Sequence, residues 1–287
     1  MTERVTRRDL GRLGLAVVGL SIAGVAPAAA EVQGTGARPG RGGRPSTVFV
    51  AGDSTAATWP ASVVPKAGWG QALQVFLDRG AFGVDNKALS GASSKSFVEV
   101  GLLDAILTAI KPGDLLVISF GHNDSKTDDR HTDPYTTFHE YLSLYIDGAR
   151  RRGARPVLVT PVERRRFNAE GHAYASHGEY PQAMKDLAVA RRVPLVDLTT
   201  LSMSLWDSLG VEATKDYFLW LDAGEAPGFP DGVQDNTHFQ AHGAIELARI
   251  VVRELVGAHV LHRPSTRNLA KAIADDALAW PETVYTP

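Results

Sequence analysis

From Ser46 onward, short β-branched apolar runs alternate with longer stretches of helical periodicity, and no other feature limits the fold as much. The strand candidates are 47–51, 84–89, 115–120, 156–160 and 194–198. Helical patterns fall between and after them, over 70–79, 97–110, 134–152, 180–192 and 242–256. The second of these carries Val98, Leu102, Ala105, Ile106 and Ala109 at helical spacing and stops at Lys111-Pro112-Gly113. Strands this short and apolar suit a parallel sheet covered on both faces, because parallel neighbours need crossover helices and those crossovers are right-handed. The expected class is α/β, one parallel sheet with helices on both sides, and no internal repeat or second domain is visible over 46–287.

The preceding residues read differently. Arg7-Arg8 stands before the apolar stretch 13–25, and Ala28-Ala29-Ala30 supplies small residues for cleavage. Residues 1–30 therefore read as a signal peptide of twin-arginine type. The competing reading, a membrane anchor, meets a stretch that is short and interrupted by glycine, against the about 20 predominantly apolar residues a span needs. Residues 31–45 are rich in Gly, Pro and Arg, nearly devoid of apolar side chains, and expected to be a disordered linker. The chain has no cysteine, which suits a protein that folds before export and removes thiolate nucleophiles and cysteine metal sites from consideration. A formal net charge of −2 argues against a nucleic-acid binder. A secreted monomer without stable membrane insertion is expected.

In open α/β sheets, ligands bind beyond the carboxyl ends of the strands. Gly52-Asp53-Ser54, Ser90-Gly91-Ala92-Ser93-Ser94, Gly121-His122-Asn123-Asp124 and Thr160-Pro161-Val162 follow the first four strand candidates. Ser54 is either an ordinary turn serine or a nucleophile, and a nucleophile needs a base, a group that orients the base, and donors for an oxyanion. His238 and Asp235, three residues apart just before the last helix, supply the first two. The backbone N–H groups of Ser54 and Gly91 and the side-chain amide of Asn123 are candidate oxyanion donors.

Gly52-Asp53-Ser54, Gly91, Gly121-His122-Asn123-Asp124 and Asp235-Asn236-Thr237-His238 resemble, in order, the blocks of the SGNH (GDSL-type) hydrolases. Gly68-Trp69-Gly70-Gln71, the run 86–94, Thr160-Pro161-Val162 with 164–167, the run 180–184 and the run 229–239 look like the rhamnogalacturonan acetylesterase branch, the carbohydrate esterase family 12 type. The resemblance implies a three-layer α/β/α sandwich around a five-stranded parallel sheet of flavodoxin-like order. It implies a serine esterase that deacetylates plant cell-wall pectin without a cofactor, with Ser54, Asp235 and His238 as triad and Gly91 and Asn123 in the oxyanion hole. The residue after Ser54 departs from the name of the motif, reading Thr-Ala-Ala where that name has Leu, as the acetylesterase branch also does.

Other readings stay open beside this one. The same machinery would serve acetylxylan, another acetylated glycan, or a lipid or thioester. A non-catalytic carbohydrate-binding relative would keep the fold, and His238 with His242 could ligate zinc, although no third ligand is evident. Arg165 and Arg166, in the run Arg164-Arg165-Arg166, are candidates to meet galacturonate carboxylates or else form a solvated turn. Trp220 and Phe229, with Trp59 and Tyr174, are candidates to stack on sugar rings or to sit in the core. Asp53, Asp124 and His122 read as structural, and Trp69 as core.

Overall fold

The computed structural model describes residues 44–284. The leader expected over 1–30 lies outside the described residues, as does the linker up to residue 43. In chain order the elements are β1 (Ser46–Gly52), β2 (Lys66–Ala67), α1 (Trp69–Phe76), β3 (Phe82–Asn86), α2 (Ser94–Glu99), α3 (Leu102–Ala109), β4 (Leu115–Ser119), α4 (Thr137–Arg151), β5 (Arg155–Val159), α5 (Tyr180–Arg191), β6 (Leu195–Val196), α6 (Leu198–Ala213), β7 (Phe218–Leu221), β8 (Val233–Gln240) and α7 (Ala241–Gly257). Five strands form a parallel sheet in the order β3-β1-β4-β5-β6, the flavodoxin-like order.

Period-two alternation assigns the two faces of this sheet. Val48 and Val50 of β1, Leu115 and Val117 of β4, and Val157 and Val159 of β5 point to one side, where they pack with Trp69 and Phe76 of α1, Trp206 of α6 and Ile245 and Val251 of α7. Phe49, Ala51, Leu116, Ile118 and Leu158 point to the other, against Phe97, Ile106, Phe138, Tyr145 and Met184 of α2 to α5. Because every one of these strand residues is buried, both faces are apolar and the strands read as continuous hydrophobic runs. The result is the expected three-layer sandwich.

Three local expectations change. The helix expected over 97–110 is two helices. Ser93 caps α2 through a reciprocal pair with Ser96, and Gly101 breaks the run with φ 79°, a conformation glycine adopts without steric cost. The strand expected over 84–89 lies at 82–86, although the Lys87 and Leu89 amides still reach the Val50 and Gly52 carbonyls. A further helix, α6, capped by the Asp197 side chain, follows the very short β6. Beyond these, β2, β8 and β7 form a second, antiparallel sheet that sequence pattern did not reveal. In it, β7 pairs with β8 at Phe218–Phe239 and again at Trp220–Gln234, so the whole run 235–238 stands opposite the single residue Leu219. That bulge carries Asp235 and His238.

Candidate active site

At the end of β1 the Asp53 carboxylate folds back on the chain. Its Oδ1 accepts from the Thr55 amide at 2.9 Å and the Thr55 hydroxyl at 2.7 Å, a turn that leaves the Ser54 side chain facing outward from the sheet edge. Burial raises the Asp53 pKa, and the hydrogen bonds from Thr55 work against that rise. Asp124, after β4, ties the neighbouring loop down. Its Oδ1 accepts from the Ser94 amide, the Ser94 hydroxyl and the Thr132 hydroxyl, and its Oδ2 from the Gly121 amide. Burial pushes Asp124 up to about 6 against the pull of those donors. Gly121 itself has φ 134°, and a Cβ there would lie 2.8 Å from the Pro161 ring, so glycine is required by both backbone and space.

The bulge of β8 supplies the partners of Ser54. Asp235 Oδ1 accepts from the Thr237 amide at 2.7 Å and the His238 amide at 3.0 Å, which locks the carboxylate beneath the imidazole. Its Oδ2 lies 2.6 Å from His238 Nδ1, and His238 Nε2 lies 2.9 Å from the Ser54 hydroxyl. Burial would raise the Asp235 pKa, yet the hydrogen bond and charge of His238 and the two amides outweigh it and hold the carboxyl down at about 2. An ionised carboxylate only accepts, so the proton sits on Nδ1 and the Nε2 lone pair faces the serine O–H. This geometry can take a proton from Ser54 and hold it.

Ser54, Asn123 and His238 line one cavity of about 600 Å³, together with His122, Ser125, Lys126, Arg164, Arg166, Ser176, Asp235, Asn236 and Thr237. The Asn123 amide donates one hydrogen to the Ala92 carbonyl at 2.9 Å, which fixes its plane and leaves the second hydrogen for the cavity. Gly91 precedes the residue that holds this amide. Among the described residues, neither the Ser54 nor the Gly91 N–H donates to a protein acceptor.

A profile of the GDSL-like lipase/acylhydrolase family matches residues 50–244, the stretch that contains every group just described. The chain belongs to that family. Among characterised relatives, it is 47% identical to the rhamnogalacturonan acetylesterase RhgT of Bacillus subtilis, over 72% of this chain and 88% of RhgT. It is 39% identical to the probable rhamnogalacturonan acetylesterase YesY of the same organism, over 78% of this chain and 97% of YesY. The crystal structure of Bacillus subtilis YxiM superposes with a TM-score of 0.63 at 32% identity, covering 74% of this chain and 56% of that one. The acetylxylan esterase Axe2 of Geobacillus stearothermophilus shares the fold, with a TM-score of 0.52 at 15% identity over 77% of this chain and 97% of that one.

Within this GDSL-like acylhydrolase the remaining candidates separate. Arg166 lines the cavity, but Arg165 turns the other way and is 8% exposed. The Arg165 guanidinium donates to the Thr214 hydroxyl, the Val211 carbonyl and, at 3.2 Å, the Asn236 side chain, while its backbone amide holds the Asn236 carbonyl. The Trp220 indole N–H also donates to Asn236 Oδ1, at 3.0 Å, and the Arg165 guanidinium lies 4.6 Å above its ring. Two residues expected to meet substrate are instead turned onto the bulge that carries Asp235 and His238. Arg165 sits at a bend in which the Arg166 amide donates to the Arg164 carbonyl at 2.9 Å, and only Arg164 and Arg166 line the cavity. Phe229 packs on Leu219, Leu221 and Ala226, apart from the cavity.

His122 and His177 stack edge to face, with ring centres 4.3 Å apart. Burial, aided by the Arg164 charge, lowers His177 to about 3, and burial with the neighbouring positive groups takes His122 well below the usual histidine range. Both rings are neutral. His242 packs on Tyr217 and lines a different cavity from His238, so the two histidines do not converge. Trp59, by sequence a candidate to stack on sugar rings or to sit in the core, stands against the site itself. Its indole N–H donates to the Ser54 carbonyl at 3.2 Å and its ring stands edge to face with His238 at 5.8 Å. Only the position of Trp59 soon after the serine turn could have pointed there.

Proposed function

We propose that this acylhydrolase is an exported acetylesterase that removes O-acetyl groups from pectic polysaccharide, the rhamnogalacturonan backbone in particular. The observation that carries the reaction is the unbroken line Asp235–His238–Ser54, in which each contact is a hydrogen bond with one available direction. As Ser54 Oγ attacks the acetyl carbonyl carbon, its proton passes to His238 Nε2, and Asp235 stabilises the imidazolium. The oxyanion is met by the Ser54 and Gly91 N–H groups and the Asn123 amide. The bond from the acetyl carbon to the sugar oxygen then breaks, and His238 returns the proton to that oxygen. Water attacks the acetyl-enzyme, passes a proton to His238, and the second collapse releases acetate and restores the Ser54 hydroxyl. The reaction needs no cofactor, and because every group comes from one chain, a monomer suffices.

The substrate class rests on the likeness to RhgT and YesY and on the charge of the cavity. Lys126, Arg164 and Arg166 line it, and none of them has a carboxylate within ion-pair distance among the described residues. A polysaccharide that carries uronate carboxylates beside its acetyl esters would complement that field. The paired arginines before an apolar stretch support export. Acetate release by the purified protein from a panel of acetylated pectins and xylans tests the substrate. Faster release from rhamnogalacturonan is expected, and faster release from acetylxylan would overturn the pectic assignment.

A further inference from the structure

We propose that Trp59 is a positioning residue for Ser54 and His238, and that the C-terminal segment 278–284 sets where Trp59 stands. The inference rests on reading Ser54 and His238 as nucleophile and base. The indole touches both partners at once, through the N–H bond to the Ser54 carbonyl and the edge-to-face contact with His238. The same peptide unit is held a second time, since its Thr55 N–H donates to Asp53 Oδ1 at 2.9 Å. The Ser54–Thr55 peptide is thus fixed at its N–H by Asp53 and at its carbonyl by Trp59. The Lys66 ammonium stacks on the indole, 3.7 Å from the ring centre, and restrains the ring further.

Little regular structure holds this tryptophan. It lies in the loop between β1 and β2, between the serine turn and a short 3-10 helix at Ala61–Val63. Asn86 holds the first half of the loop, donating to the Ala56 carbonyl and the Thr58 hydroxyl, and further contacts come from the segment 278–284. The Ala61 amide donates to the Pro281 carbonyl at 2.8 Å, and the Trp280 indole N–H donates to the Lys66 carbonyl at 2.9 Å. Gln71 joins the two by accepting from the Trp59 amide at 3.1 Å and donating to the Ala279 carbonyl at 2.9 Å. Leu278 and Trp280 pack on the core face of α1 and α7, which anchors the segment. The chain of contacts therefore runs from a buried anchor, through the tail, to the indole and on to the serine.

Hydrolysis of p-nitrophenyl acetate by the full chain tests this, because so small a substrate reports positioning rather than glycan binding. Wild type and Ser54→Ala are measured first, and an inactive wild type or a fully active Ser54→Ala defeats the underlying reading rather than this one. Trp59→Phe, which keeps a ring and loses the N–H, is expected to lower kcat about tenfold with KM within about twofold. Trp280→Phe is expected to lower kcat about threefold, and the double variant to be no slower than Trp59→Phe alone, since one acts through the other. Losses that multiply in the double variant, or that fall on KM with kcat held, overturn the proposal. Should Trp59→Phe not fold, Gln71→Met with Trp280→Phe is decided on the same criterion, because both leave the indole intact and cut its tether.

Discussion

His238 Nε2 stands 2.9 Å from Ser54 Oγ, although the two lie 184 positions apart in the chain. The serine is set by a parallel strand of the main sheet and the histidine by a bulge of the smaller antiparallel one, so their meeting depends on how the two sheets pack. Replacing Ser54 by Ala removes the attacking oxygen and leaves that packing intact. The kcat for p-nitrophenyl acetate is expected to fall by about 10⁴ or more with an unchanged circular dichroism spectrum. A residual rate near wild type would mean that the nucleophile lies elsewhere.

Asp235→Asn probes the tautomer. An amide can donate as well as accept, so it no longer forces the proton onto Nδ1 of His238. Steady-state kinetics are expected to show kcat lower by about 10³–10⁴. A loss below tenfold would leave Asp235 with an anchoring role alone.

Two aspartates give the pH dependence of stability opposite slopes. Asp235, held at about 2 against an ordinary 3.8, contributes stability that is complete above pH 3.8 and is lost as the pH falls from there towards 2. Asp124, raised to about 6 by burial, binds its proton more tightly in the folded chain, so its contribution declines as the pH rises from about 4 to 6. Urea midpoints at pH 6, 4 and 2.5 check both. Asp235→Asn is expected to flatten the drop between pH 4 and 2.5 and leave the interval from 6 to 4 unchanged.

Asn123→Ala keeps the triad and deletes one donor to the oxyanion. The expected cost is about 10²–10³ in kcat with little change in KM, since the donor strengthens its bond as negative charge develops. An effect confined to KM would assign Asn123 to ground-state binding.

Arg166 and Lys126 are exposed cations at the cavity without a carboxylate partner among the described residues. Their removal is expected to raise KM for an acetylated, uronate-bearing oligosaccharide severalfold at low salt and to leave p-nitrophenyl acetate unaffected. Salt shrinks the difference, because exposed charges are screened beyond about 8 Å at physiological ionic strength. Equal losses on both substrates would count against charge recognition.

The main sheet and the clustered candidate groups were legible in the sequence for the same reason. Strands such as Leu115–Ser119 are uniformly buried and so uniformly apolar, and the polar clusters that interrupt them mark the strand ends where ligands bind. The smaller sheet carried no such mark. β8 reads Val-Gln-Asp-Asn-Thr-His-Phe-Gln, too polar and too irregular for a strand pattern, because half of it is bulge. The helix α6 opens on Leu-Thr-Thr-Leu and carries several serines, weak helix formers whose helicity comes from the Asp197 cap and from the burial of Trp206. The opposed directions of Arg165 and Arg166 were invisible for another reason. They lie outside any regular element, where no period tells which side chain turns inward.

At the bulge, strand pairing stops at Trp220–Gln234 and resumes at Phe218–Phe239. The four residues of that interval are clamped at Asn236 by Arg165 and Trp220. Asp235 and His238 thus stand between the rungs of the ladder, held in place by side-chain contacts rather than by strand pairing.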